Sequence, residues 1–318
     1  MPLGQVNIFN MENEKKYPKN YLKFFELFKD EDACRKYLFN IRWPNGFCCP
    51  NCNNVIKIWF TAQNLIHCGI CGHQTSLTSS TLYHGSRKPL LMWFQIIWMI
   101  VAQKTGVSAS NLKDFMGFGS YKTAWTWLQK IRRVMTNNNS EKLFGTIEVG
   151  KIFIRGLVHG LEEKKVIEAV TVVVVAERNG NKIGNIRFRC MDTEEAADLQ
   201  NIIQDNIRQG STVITNGEKE YSFLSLEKSG YFHEVSVSGN KTNASLLHIR
   251  TIDIKLKRWL LGTHQDKVSL KYLPFYLDEF AYRFNGRMST PGELFYNIIL
   301  KSIEIGKLSK SDIVEQAT

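Results

Sequence analysis

The sequence lacks several features that would place a protein in or beyond a membrane. Its most apolar run, Leu90 to Ala102, is interrupted by Gln95 and is shorter than the roughly 20 residues that a membrane-spanning helix needs. It opens without the charged and apolar segments of a signal peptide. Four of its seven cysteines have metal-binding rather than disulfide spacing. We therefore expect a cytoplasmic protein in a reducing environment, with no membrane role.

Acidic residues are also in short supply. The 318 residues include 30 Asp and Glu against 41 Lys and Arg, which gives a net charge of +11. Such an excess favours a polyanionic partner, most often nucleic acid. The hydrophobic content of 43% can fill a core, and the length allows two or three domains.

The cysteines form two close pairs with the pattern C-x2-C-x15-C-x2-C. Zinc takes four soft ligands in a tetrahedron, and two tight turns can supply two thiolates each. Cys48 stands beside the first pair, but the two-residue spacing selects its neighbour. The predicted ligands of a structural zinc ion are Cys49, Cys52, Cys68 and Cys71. Four protein ligands leave no position open for a substrate.

A helix-turn-helix outline follows the cysteines. Ser108 can cap a short helix that ends at a glycine turn over 117–119, and Ser120 can cap a longer helix, Tyr121 to Met135. We expect this longer helix to contact DNA, with Trp125 and Leu128 in the core. Its candidate contacts are Lys122, Lys130, Arg132 and Arg133. The alternative is a small helical bundle with a solvated basic face.

The second half has an α/β pattern. The strand Phe144 to Ile154 should place Ile147 and Val149 on one face and Glu148 and Gly150 on the other. Two more antiparallel strands, a helix, and then alternating strands and helices are expected after it. The predicted divisions are a helical segment (1–44), a zinc ribbon (45–84), a helix-turn-helix-like region (85–139), an α/β domain (140–290) and a helical tail (291–318).

Several motifs resemble one known family. Four of them are RWPNGF-x-CPNC at 42–52, TSSTLYHGSRKPLLMWF at 78–94, SYKTAW at 120–125 and YLDEFAYRFN at 276–285. Two more are the strand FGTIEVGKIFI at 144–154, which is similar to the family's VEVDETYIGG, and TNG at 215–217, which is similar to its TDG. Together they resemble the bacterial insertion-sequence DDE transposases with an N-terminal zinc ribbon. The resemblance implies a ribonuclease H-like mixed sheet domain, preceded by the ribbon and the helix-turn-helix, and a homodimer or higher assembly on double-stranded DNA.

The resemblance also implies a mechanism that this sequence does not support. In the family, three carboxylates hold two Mg²⁺ or Mn²⁺ ions for attack on DNA phosphate. The matching positions here are Gly150, Asn216 and Asp253. We therefore predict loss of strand transfer in a protein that still binds DNA.

Two other interpretations remain open. One is an active metal-dependent transposase with rearranged acids, in which Glu148 and Asp253 act as ligands. A shift of two residues along a strand moves a carboxylate by roughly 6.6 Å, which disfavours that substitution. The other is a zinc-dependent scaffold for protein interactions with no role on DNA.

Overall fold

The computed structural model describes residues 17–55, 58–60, 65–136, 141–159, 165–191, 196–217, 221, 226–236, 246–264 and 268–309. These residues fall into two compact units. The first contains the described residues up to Lys104 and those from Ser289 onward, and the second contains those between Thr105 and Met288. Parts of the predicted N-terminal segment (1–16) and of the predicted tail (310–318) lie outside the described residues. No helix in the described ranges is both long and apolar enough to cross a membrane.

The secondary structure comprises the following elements in chain order. The helices are α1 (Tyr21–Leu27), α2 (Glu31–Arg42), α3 (Leu90–Ala102), α4 (Ala109–Met116), α5 (Tyr121–Met135), α6 (Ala196–Asn206), α7 (Leu247–His264), α8 (Leu273–Asn285) and α9 (Pro291–Glu304). The strands are β1 (Ile58–Phe60), β2 (Leu65–Cys68), β3 (Gln74–Ser76), β4 (Thr146–His159), β5 (Lys165–Asn179), β6 (Lys182–Cys190), β7 (Thr212–Asn216) and β8 (Phe232–Ser236). A short 3₁₀ helix, Leu270–Tyr272, precedes α8.

Polar side chains cap the helices where the sequence predicts them. The Ser108 hydroxyl accepts a hydrogen bond from the Asn111 amide, and the Ser120 hydroxyl accepts one from the Thr123 amide. Each bond satisfies an amide that the first turn of a helix leaves without a partner. Gly117 ends α4 with a φ of +64°, a left-handed conformation that favours glycine. These caps confirm the predicted bounds of α4 and α5.

Aromatic packing builds the core of the first unit. The ring of Phe295 on α9 lies 5.8 Å from Phe24 on α1 and 5.6 Å from Phe94 on α3, between ring centroids. Burying one such side chain contributes about 1.5–3 kcal/mol. Helix α3 therefore belongs with α1, α2 and α9, whereas α4 and α5 belong to the second unit. The predicted helix-turn-helix-like region, 85–139, is divided between the two units.

A mixed five-stranded sheet organises the second unit, in the order β6-β5-β4-β7-β8. Strands β4, β5 and β6 are antiparallel neighbours, while β4 pairs in parallel with β7, and β7 in parallel with β8. This order is consistent with a ribonuclease H-like transposase domain, and the α/β prediction is confirmed. The predicted strand Phe144 to Ile154 corresponds to β4, which begins two residues later and ends five residues later than expected.

Each face of the sheet has its own apolar core. Ile147 and Val149 pack with Val173 and with α6 residues, while Ile152 and Val174 pack with α7 and α8. The alternation predicted for β4 is therefore correct. The centre of β5 is buried on both faces, as a central strand between two helical layers must be. This arrangement puts Glu148 and Gly150 on the face that α7 covers.

Candidate functional site

The four predicted zinc ligands lie together in the ribbon. Strands β1, β2 and β3 form a three-stranded antiparallel sheet, and the four sulfur atoms are all within 4.8 Å of one another. Two sulfur pairs, Cys49 with Cys71 and Cys52 with Cys68, are each separated by 3.7 Å. A tetrahedron with Zn–S bonds of about 2.3 Å has sulfurs about 3.8 Å apart. The cluster therefore fits a structural zinc ion.

Local hydrogen bonds favour the thiolate form of one predicted ligand, Cys71. The backbone amide of His73 and then the Asn51 side chain stabilise the Cys71 thiolate, and they lower the pKa of Cys71 to about 6. Cys71 is therefore mostly ionised at neutral pH. Cys48 lies outside the cluster, with its sulfur 3.6 Å from the Asn53 carbonyl oxygen. The choice between adjacent cysteines follows the two-residue spacing.

The sheet brings the first two acid positions to neighbouring places. Glu148 of β4 pairs with Ile214 of β7 in a parallel register. Gly150 and Asn216 each lie two residues further along their own strands, beyond the pairs of this register. Asp253 lies on α7, where its two carboxylate oxygens are 2.8 and 2.9 Å from the Lys257 ammonium. The negative charge at this position is therefore balanced within its own helix.

Aliphatic side chains fill the space next to Gly150. A Cβ atom built on this glycine would lie 2.9 Å from Leu246 Cδ1 and 3.1 Å from Ile249 Cγ2. Leu246 and Ile249 are both buried, and both belong to the core between the sheet and α7. A side chain at position 150 would therefore meet methyl groups. The resemblance predicts an acid at this position, and the structure surrounds the position with aliphatic side chains, which the sequence did not indicate.

Glu148 is held by the start of α7. Its Oε1 lies 2.7 Å from His248 Nδ1, and its Oε2 accepts a 3.1 Å hydrogen bond from the His248 backbone N–H. Both side chains are buried, with 5% and 9% exposed for Glu148 and His248. The carboxylate thus links β4 to the helix. Sequence reasoning missed this pairing, because the two residues are 100 positions apart and no local pattern connects them.

The acid positions do not fit a pair of divalent metal ions. Mg²⁺ prefers oxygen ligands, above all carboxylates. Of the three predicted positions only Asp253 carries a carboxylate, and it pairs with the half-exposed ammonium of Lys257. Within the described ranges, the cysteine cluster is the one group of three or more His, Cys, Asp or Glu ligands with metal-binding geometry. The residues present therefore give no support for Mg²⁺ or Mn²⁺ at this place.

The basic residues of α5 differ sharply in their surroundings. Lys122 is exposed in the first turn, whereas Lys130 and Arg133 are half-buried. Arg132 is only 2% exposed; its Nε lies 2.7 Å from Glu279 Oε2 on α8, and its guanidinium stacks on the Tyr276 ring. The expectation that Arg132 contacts DNA is therefore corrected: it is a core residue of this unit.

The predicted core residues of α5 do contribute to packing. The ring of Trp125 lies 4.8 Å from the Tyr272 ring, between centroids. Leu128 is only 1% exposed. Helix α5 therefore packs against the rest of its own unit through the side chains that the sequence assigns to its apolar face.

Two family models match separate parts of the chain. Residues 142–285 match the ISXO2-like transposase domain, and residues 29–74 match the transposase zinc-ribbon domain. A relative described as "Uncharacterized protein in transposable element ISH50", from Halobacterium salinarum, is 21% identical over 285 residues. That alignment covers 82% of this chain and 94% of the relative. The first match contains the sheet and α7, and the second contains all four clustered cysteines together with β1 and β2.

Proposed function

Because this chain belongs to the insertion-sequence transposases that carry an N-terminal zinc ribbon, we propose that it binds double-stranded DNA without carrying out metal-dependent strand transfer. Family membership supports the DNA partner. The altered acid positions Gly150, Asn216 and Asp253 support the loss of activity. Zinc has a structural role in this proposal, since four cysteines leave it no open coordination position.

One observation carries the proposed loss of catalysis: the packing of Leu246 and Ile249 against Gly150. If a site had lost only its acidic side chain, the space around that position would remain open and polar. Here the closest approaches to a Cβ on Gly150 would be 2.9 and 3.1 Å, both to methyl carbons. Burying a charged metal among such groups is costly without ligands to compensate. The apolar core thus occupies space that a metal-binding carboxylate would need.

Glu148 is a poor replacement for the missing acid. Its two oxygens already contact the ring and the backbone N–H of His248. Releasing them to a metal would leave a buried backbone amide without a partner, which costs about 1–3 kcal/mol. The interpretation as an active enzyme with rearranged acids is correspondingly disfavoured.

The proposed DNA contact lies at the start of α5. In a helix-turn-helix, the N-terminal residues of the second helix reach the base edges. Tyr121 and Lys122 are exposed in this first turn, while most of the helix from Ala124 onward is buried. We therefore assign the main contact to Lys122, with Lys130 and Arg133 as secondary contacts. The net charge of +11 adds a general attraction to phosphate.

The test uses the full-length, zinc-loaded protein and duplex DNA carrying the element ends. We expect binding that weakens steeply with salt, because several cations neutralise phosphates. We expect no nicking or strand transfer when Mg²⁺ or Mn²⁺ is added. Metal-dependent nicking that disappears in Asp253→Ala would contradict the proposal. Failure to bind any duplex at low salt would instead favour a scaffold for protein interactions.

A further inference from the structure

A cavity of about 270 Å³ opens beside Glu148 in the second unit. It lies below the roughly 300–1,000 Å³ that small-molecule sites usually occupy, so it suits a small group better than a whole nucleotide. Strands β4, β5, β7 and β8 and the start of α7 contribute to its walls. The polar residues that line it are Glu148, Arg178, Asn181, Ser236 and His248.

The imidazole of His248 is buried and lines this cavity. Its Nδ1 faces the Glu148 carboxylate at 2.7 Å, so this nitrogen carries a proton. The other nitrogen, Nε2, has no hydrogen-bond partner among the residues that the structure describes, and His248 lines the cavity. In the imidazolium form both nitrogens donate. One N–H then serves Glu148, and the second is available to a ligand.

Arg178 brings a positive charge to the same cavity. It follows Ala176, the residue of β5 that pairs with Glu148, by two positions. Its side chain is exposed, and it forms no ion pair within the described ranges. A guanidinium matches the oxygens of a phosphate in a bidentate geometry. The N-terminus of the 18-residue helix α7, which contributes Leu247 to the wall, adds a partial positive charge.

We propose that this cavity binds one phosphate group of a nucleic acid directly, with no divalent metal between the phosphate and the protein. Arg178 and His248 hold the oxygens, and Asn181 supplies a further donor. The two Glu148 oxygens already face His248 Nδ1 and the His248 backbone N–H. The inference rests on the proposed absence of a metal site. In this proposal cationic side chains neutralise the phosphate charge, which metal ions neutralise in a three-carboxylate site.

The experiment is a titration of the purified, zinc-loaded full-length protein by isothermal calorimetry at constant ionic strength. Buffers are passed over a chelating resin, so that no free divalent metal is present and the ribbon keeps its zinc. The three probes are inorganic phosphate, a short single strand with a 5′-phosphate, and the same strand with a 5′-hydroxyl. Tighter binding of the 5′-phosphate strand assigns the site to a terminal phosphate. Equal binding of the two strands assigns it to an internal one.

Two variants share one control. Arg178→Gln should weaken binding of these probes about 10-fold or more, as expected for loss of a charge-assisted contact. His248→Gln should weaken it similarly. Lys182→Gln removes the same charge from an exposed position of the same hairpin outside the cavity, and it should leave affinity unchanged. Since Arg178 is exposed, its variant tests the cavity even if His248→Gln fails to fold.

The outcomes separate this inference from the proposed function. If no probe binds, or if Arg178→Gln and Lys182→Gln weaken binding equally, the proposal that the cavity binds phosphate is refuted. The proposed duplex binding through α5 is unaffected by either result. Phosphate binding that requires added Mg²⁺ overturns both the cavity and the proposed absence of a metal site. Metal-free binding that Arg178→Gln weakens and Lys182→Gln does not supports the inference.

Discussion

Replacing Gly150 with aspartate would introduce the acid that the resemblance predicts on the first strand. We expect this change to destabilise the protein rather than to restore a metal site. The new Cβ would come within 2.9 Å of Leu246 Cδ1 and 3.1 Å of Ile249 Cγ2. The leucine methyl group lies at the end of a flexible side chain and can move. The carboxylate beyond the Cβ would still be buried among aliphatic groups.

The magnitude follows from two costs. Overpacking a close-packed core costs about 1–3 kcal/mol, which is partly offset by the roughly 0.5–1 kcal/mol that a residue other than glycine gains in a strand. Leaving a buried carboxylate without partners adds about 1–3 kcal/mol or more. Gly150→Ala should therefore lose about 0–2 kcal/mol of unfolding free energy. Gly150→Asp should lose about 1–5 kcal/mol.

The assay is urea unfolding of these two variants and the wild type, with one matched control and one double mutant. Gly262→Asp adds the same charge at an exposed position with no atoms close to a new Cβ, and we expect a change within about 0.5 kcal/mol. Combining Gly150→Asp with Leu246→Ala should recover stability relative to the sum of the single changes, because the two positions share one space. A Gly150→Asp protein as stable as the wild type, with no coupling to position 246, would refute this account of the site.

Three further changes test other parts of the structure. Cys68→Ser should abolish zinc binding and the folded ribbon, because Cys68 belongs to the cysteine cluster. Cys48→Ser should retain one zinc per chain by mass spectrometry, because Cys48 lies outside the cluster. Equal zinc loss in both variants would contradict the assignment. Burial raises the pKa of Glu279, but the charges of Arg132 and Arg283 outweigh it and bring the pKa down to about 2 from 4.5. This group therefore stabilises the fold above about pH 4.5, and its contribution is lost as the pH falls toward 2. Glu279→Gln should cost about 3–5 kcal/mol at pH 7 and progressively less toward pH 2 in urea unfolding; a cost independent of pH would argue against the ion pair. Lys122→Ala should weaken duplex binding and reduce the salt slope by about 1 with unchanged stability, and unchanged binding would remove the start of α5 from the DNA interface.

Local chemistry is what the sequence could predict. The spacing of the cysteine pairs identified all four clustered sulfurs, because a metal site made of two tight turns needs only local geometry. Alternating apolar residues located the strands, and Ser108 and Ser120 marked the starts of α4 and α5. Each of these signals depends on residues within a few positions of one another.

Contacts between distant segments were beyond such reasoning. Arg132 looked like part of a basic helix face, but its partner Glu279 lies 147 positions away. A charged residue on an amphipathic helix is predicted to be exposed unless its partner is known. The contact of Glu148 with His248 and the closure of the core over Gly150 have the same origin. In both cases the contact comes from α7, whose first residue lies about 100 positions after the first residue of β4.

Titration of the zinc-loaded protein with Mg²⁺ and Mn²⁺ tests the central claim most directly, because it asks whether the acid positions hold a catalytic metal at all. Wild type and Asp253→Ala are compared by calorimetry, with the zinc content checked before and after. We expect no saturable binding of either metal to the wild type, and no difference between the two proteins. Stoichiometric binding to the wild type that Asp253→Ala abolishes would contradict it.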